Sequence, residues 1–226
     1  MITYKNLTFI GTSHISAQSI SEVKEVITDK KPEIIALELD QNRFISLIKE
    51  HKQKPSLKDM FRLGFTPFVI STFGSYMQRK LGDLVGVKPG SEMLQAIQLA
   101  KENNIKLALI DQDIQITMHK LSKNFTFREK LRFLFDIIKS PFSKEKIKID
   151  LTKVPEDKLI KMVIQRIKKR YPSIYETLIG ERNKIMARNL YHIKKENLNS
   201  QIVVIVGAGH LPEMVDYLKE HDKKPI

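Results

Sequence analysis

The chain of 226 residues contains no cysteine. Disulfides and thiolate metal sites are thereby excluded, and a bound metal would have to take its ligands from His, Asp or Glu. The same absence fits a reducing compartment, so a cytoplasmic location is expected. Long apolar runs are also missing, since no stretch approaches the roughly 18–20 residues of a spanning helix. The most apolar segment, "PFVISTFGSYM", is short, is broken by Gly74, and reads as a surface or lid helix. No signal core is visible, because strand-like "NLTFIGT" begins almost at once. The G-x-S-x-G pattern is absent, so Ser13 and Ser16 lack the context of an activated serine. "GAGHLPEM" is not a dinucleotide loop, because Pro212 stands where the third glycine of G-x-G-x-x-G belongs.

What is present supports a folded, charged chain. Apolar residues make up 42%, enough for a core. The net charge is +13, and Lys120–Arg170 carries most of it, with 16 Lys/Arg against 6 Asp/Glu. Such a segment can meet nucleic acid or anionic lipid. No basic motif interleaved with aromatics accompanies it, so solvated helix faces are the reading and no nucleic-acid partner is expected.

Periodicity places strands at Leu7–Thr12, Glu33–Leu39, around "IKLALID", and at "QIVVIVG". These runs are apolar throughout, which marks a parallel sheet covered on both faces. Helices fall between them. Ser16 and Ser91 are expected N-caps, and Phe44, Ile45 and Ile48 are expected to face inward from a helix running from Gln41 to about His51. The expected fold is α/β, a mainly parallel sheet covered by helices, with a large helical insertion before the last strand. The chain reads as one domain over 1–226, with an aromatic lid insertion at 54–90 and a helical excursion at 115–199.

Each strand delivers polar groups at its carboxyl end, where parallel sheets place their sites. The first ends in "GTSH" with His14, and the second in "LELDQNR" with Glu38, Asp40 and Arg43. The third ends in "IDQD" with Asp111 and Asp113, and the last in "GAGH" with His210. Imidazole and carboxylate are ligands for Zn, Mn, Co or Fe, and a bound metal yields hydroxide near neutral pH. Without metal, a carboxylate-oriented histidine serves as general base on water. Arg43 suits the steadying of an oxyanion. By spacing alone, Glu181 and Arg182 read as a surface pair, and Glu92 reads as a first-turn carboxylate favoured by the helix dipole. His51, His119, His192 and His221 read as exposed, and Met93, Met162, Met186 and Met214 as apolar-stripe residues.

In order along the chain, "FIGTSHISAQSISEVKEVI", "KPEIIALELDQNRF", "MQRKLGDLVGVKPGSEMLQAIQLA", "LALIDQDIQIT", "LIGERNKIMARNL" and "VVIVGAGHLPEMVDYL" resemble the blocks of the TraB/PrgY family, which includes the Tiki proteases. The resemblance implies an α/β fold related to erythromycin esterase and the haem-binding ChaN proteins. It implies that His14, Glu38, Arg43 and His210 share one catalytic site, with Glu92, Asp111, Glu181 and Arg182 binding substrate beside them. Tiki members imply a divalent metal, Mn or Co, with Zn a further candidate, held by His14, Glu38 and His210. Bacterial members imply a role in blunting a peptide signal. Gln112 departs from the arginine common in the D-R-D segment. Many prokaryotic relatives carry a C-terminal membrane region, whereas this sequence stops at "HDKKPI". The expectation is therefore a metal-dependent hydrolase of peptide bonds, in the cytoplasm or at the cytoplasmic face of a membrane through a further C-terminal region, with a homodimer left open. The alternatives are a non-catalytic peptide-binding module, suggested by the aromatic insertion from Phe61 to Tyr76, and a metal-free hydrolase with a histidine base.

Overall fold

The computed structural model of the chain describes residues 1–13, 16–49, 88–139 and 157–223. His14, His51 and nearly all of the 54–90 insertion lie outside the described residues. The described elements run β1 (Ile2–Tyr4), β2 (Leu7–Thr12), α1 (Ala17–Lys30), β3 (Ile34–Leu37), α2 (Gln41–Ile48), α3 (Ser91–Glu102) and β4 (Lys106–Leu109). They continue with α4 (Ile114–Asn124), α5 (Phe127–Lys139), α6 (Asp157–Arg170), α7 (Pro172–Tyr175), a π-helical turn (Glu176–Gly180), α8 (Glu181–Glu196), β5 (Ile202–Gly207) and α9 (Leu211–Lys223).

The strands form one sheet in the order β1-β2-β5-β3-β4. The pairs β2–β5, β5–β3 and β3–β4 are parallel, and β1 returns antiparallel on β2. This is the expected α/β architecture, with β1 as an addition. The alternation of side chains along each strand builds a core on either face. Ile202, Val204 and Val206 join Met186, Leu190, Met214 and Leu218 of α8 and α9. Val203 and Ile205 join Val23, Ile27, Met93 and Ile97 of α1 and α3 on the opposite face. Each such side chain, fully buried, contributes about 1.5–3 kcal/mol. Continuous burial along β5 explains why its residues are apolar without alternation. A smaller cluster of Met118, Leu121 and Phe125 with Phe133, Tyr171, Ile174 and Leu178 binds α4, α5, α7 and the π-turn together.

Several local expectations are corrected. In α2, Phe44 and Leu47 pack on the core, while Ile45 and Ile48 are exposed. The N-cap of α3 is Gly90, in the left-handed region at φ 85°, and Ser91 instead donates its hydroxyl to the Lys88 carbonyl. Ser16 does precede α1, without a side-chain cap hydrogen bond. Met162 is exposed, whereas Met93, Met186 and Met214 are buried. Among the described residues no helix is long and apolar enough to cross a membrane.

Candidate functional site

The parallel register brings the strand ends to one edge. Thr12 is paired with Gly207, Leu37 with Ile205, and Leu37 with Leu109. Glu38 continues β3, its N–H donating to the Ile205 carbonyl. That places its carboxylate beside the end of β5, where Oε2 accepts from the Gly207 N–H at 2.6 Å. Asp111 follows β4 in the same way, with its N–H on the Leu39 carbonyl and its side chain wholly buried. Asp40 caps α2 by accepting from the N–H groups of Asn42 and Arg43. The cap places Arg43 on the first turn, from which Nε donates to Asp40 Oδ2 at 2.6 Å and Nη2 donates to Asp111 Oδ2.

The organising cation is Arg182, which spacing alone had assigned to the surface. It enters from the first turn of α8, just after the π-turn. The turn bonds the Glu181 N–H back to the Glu176 carbonyl, five residues away, and such bulges often mark functional positions. The wide turn leaves the Leu178 carbonyl to accept from Arg182 Nη1 at 3.0 Å. Arg182 grips Asp111 with two bonds, Nε to Oδ1 at 3.0 Å and Nη2 to Oδ2 at 2.6 Å. Nη2 also donates to Glu38 Oε1 at 2.5 Å. Burial opposes the charge on this guanidinium, but the facing Glu38 and Asp111 carboxylates outweigh it and hold its pKa above the ordinary arginine value. A buried cation with two buried anions is the arrangement such charges require.

His210 stands on the far side of Arg182. The "GAGH" turn closes with the His210 N–H on the Gly207 carbonyl. The ring is then held from behind, with Nδ1 2.6 Å from Asn183 Oδ1. Asn183 is fully buried, and its Nδ2 donates to Glu213 Oε2 at 3.0 Å. Glu213 in turn accepts from the Tyr175 hydroxyl. With the amide nitrogen committed to Glu213, the amide oxygen faces the ring and Nδ1 carries the hydrogen. Nε2 is left as the acceptor, aimed into the cluster. It lies 3.3 Å from Arg182 Nη1 and 3.3 Å from Glu38 Oε1. The neutral ring accepts from the first, and the protonated ring donates to the second.

Of the expected site residues, the structure gathers Glu38, Arg43, Asp111, Arg182 and His210. His14 lies outside the described residues. Glu92 is buried in the first turn of α3. Glu181 does not share the cluster, because its Oε2 accepts from Lys120 Nζ at 2.6 Å on α4. Gln112 donates its amide to Thr117 Oγ1 at 2.8 Å and is nearly buried, so the position is tied to α4. Sequence reasoning passed over Asn183, although it lies beside Arg182 in "GERNKIM". Its signal is a polar residue one turn before the buried Ala187 and Leu190 on the inner face of α8.

Of the three expected metal ligands, Glu38 and His210 are described and His14 lies outside the described residues. The separation of His210 Nε2 and Glu38 Oε1 suits two ligands of one cation at about 2.0–2.2 Å each. Both atoms, however, already face the Arg182 fork, and Glu38 Oε2 is taken by the Gly207 N–H. A divalent cation between them would stand against a guanidinium. Among the described residues no cluster of three metal-ligating side chains forms.

The TraB/PrgY/gumN family profile matches residues 2–225. An uncharacterized protein of Methanocaldococcus jannaschii is 40% identical over 93% of this chain, which spans 53% of that relative. TraB domain-containing proteins of Homo sapiens and Mus musculus are 23% and 22% identical over 90% of the chain, which spans 60% of each. The chain thus covers little more than half the length of these relatives. Matched almost from end to end, it belongs to the TraB/PrgY/gumN family.

Proposed function

We propose that the strand-end cluster is a hydrolytic site, that His210 is its general base, and that its substrates are peptides. The observation that carries this reading is the fixed ring of His210, with Nδ1 on Asn183 and Nε2 turned into the cluster. Once Arg182 Nη1 yields Nε2, water there loses a proton to the ring as it attacks the carbonyl carbon, and the imidazolium passes that proton to the leaving amine as the C–N bond breaks. Glu38 Oε1, at 3.3 Å, receives the charged imidazolium. Arg43 is the more exposed of the two arginines, with its side chain about one-third exposed against 13% for Arg182. Held on Asp40 and Asp111, it stabilises the oxyanion. The peptide class rests on the resemblance to Tiki and bacterial peptide-signal proteins.

The metal-dependent form of the same proposal assigns His14, Glu38 and His210 as ligands of Mn, Co or Zn. Both forms require Arg182 Nη1 to yield Nε2, and the metal-dependent form requires in addition that Nη2 leave Glu38, which favours the metal-free form. Cleavage of a peptide library by the purified chain tests both, with chelator and with each metal added back. The expected result is cleavage that survives chelation and is lost in His210→Gln. Cleavage restored only by metal would select the metal-dependent form. No cleavage under any condition, with stoichiometric peptide binding that persists in His210→Gln, would replace the enzyme by a binding module.

A further inference from the structure

Helix α5 is inverted. Its inward face carries Glu129, Phe133 and Asp136, while its outward face carries Phe127, Leu131, Leu134 and Phe135. The inward carboxylates are anchored: Glu129 accepts from the N–H and hydroxyl of Ser173 at 2.9 and 2.6 Å, and Asp136 accepts from Arg170 and Tyr171. The four apolar residues are 53–73% exposed. Spaced four, three and one residues apart, they form one stripe opposite the anchored face. This is not a helix that has failed to dock. It is docked through its acids, and the docking turns its apolar side to solvent.

Cations border the stripe. Arg128, Arg132 and Lys139 lie along one flank, all exposed, and Lys139 Nζ stands 4.3 Å from the Phe135 ring centroid. Between α5 and α6 lies a cleft of about 390 Å³ lined by Arg132, Arg166, Lys169 and Arg170. An apolar stripe with basic flanks is the pattern of a helix lying in the interface of an anionic bilayer. A second copy of the chain would bring like charges face to face, and nucleic acid has no use for the stripe.

We propose that α5 is a membrane-interface helix, whose stripe enters the acyl boundary of an anionic bilayer while Arg128, Arg132 and Lys139 on its flank meet headgroup phosphates. The protein would then lie on the lipid surface by a face made of α5 and α6.

The test is flotation with vesicles of phosphatidylcholine alone and of phosphatidylcholine mixed with phosphatidylglycerol. The full chain is compared with Leu131→Ser/Phe135→Ser and Arg128→Glu/Lys139→Glu. All four positions are exposed, and thermal melts confirm folding of the variants. The expected result is binding to the anionic vesicles only, weakened by salt, with apparent affinity at least about tenfold lower in either variant. Absence of binding to anionic vesicles would overturn the proposal, as would binding indifferent to Leu131→Ser/Phe135→Ser. A wild-type dimer in sedimentation that this variant dissociates, without vesicle binding, would assign the stripe to a second copy instead.

Discussion

The amide oxygen of Asn183 lies 2.6 Å from Nδ1 of His210, and this contact decides which ring nitrogen faces the cluster. Replacing Asn183 with Leu keeps the volume but frees the ring to rotate and strands Glu213 with one donor fewer. Loss of a partner that orients a working histidine typically costs 10–100-fold. Under the proposed function, kcat/KM for peptide cleavage in Asn183→Leu should fall by about that factor, while His210 remains present. Unchanged kcat/KM would show that ring orientation is not limiting.

Arg182 is the cation that makes burial of Glu38 and Asp111 tolerable. Arg182→Met should destabilise the fold by about 3–5 kcal/mol, because two buried carboxylates lose their main counter-charge. Arg182→Lys should recover only part of this, since an ammonium cannot reproduce the two-bond grip on Asp111. Urea unfolding at neutral pH measures both. A loss below about 1 kcal/mol in Arg182→Met would mean that Arg43 alone suffices.

Asp222 gathers Lys194, Lys5 and the Tyr4 hydroxyl at the carboxyl end of α9. Burial pushes its carboxyl up, but the bonds from Lys194, Lys5 and Tyr4 outweigh it and pull the pKa down to about 2. A depressed carboxyl pKa contributes stability that is present above the unfolded value, near 3.9, and is lost as pH falls through the folded one. Asp222→Asn should therefore be less stable than wild type by a constant amount above about pH 5, with the gap closing toward about pH 2. Chemical denaturation across this range would show it. A gap independent of pH would contradict the assignment.

The start of α5 is fixed by a reciprocal capping box, in which Thr126 Oγ1 accepts from the Glu129 N–H and Glu129 Oε2 accepts from the Thr126 N–H. The same carboxylate holds Ser173 at the start of α7. Burial raises its pKa, yet the bonds from Ser173 and Thr126 leave it below the ordinary value. Glu129→Ala should cost about 1–3 kcal/mol and expose the amides of residues 127–130 to hydrogen exchange. Peptide cleavage should persist, because the strand-end cluster takes none of its side chains from α5.

The strand ends were legible because each apolar run stops abruptly at a charged or imidazole residue, and a parallel sheet aligns such stops. Glu38, Asp111 and His210 follow from that rule alone. Arg182 did not, because its direction depends on the π-turn before it, which no spacing rule anticipates. One residue along a helix is about 100°, so Glu181 turns to Lys120 while Arg182 turns to the sheet. Strand β1 was invisible because three residues carry no periodicity, and its turn at Lys5-Asn6 has no glycine, with Lys5 itself at φ 54°. In α2 the pattern permitted two apolar faces, and packing against the core chose Phe44 and Leu47. That Glu38 and His210 would come together was legible too. Their commitment to Arg182 and Gly207 was not, because hydrogen-bond partners are a property of the assembled edge.

The last of the described strands occupies the middle of the sheet, between β2 and β3. During synthesis, β2 and β3 therefore wait with unpaired edges until residues 202–207 leave the ribosome. Waiting edges of this kind are slow to resolve and prone to aggregate. Gly207 and His210 arrive with that same strand, so Glu38 has no partner on β5 until it inserts. The strand-end cluster is thus incomplete until β5 has inserted between β2 and β3.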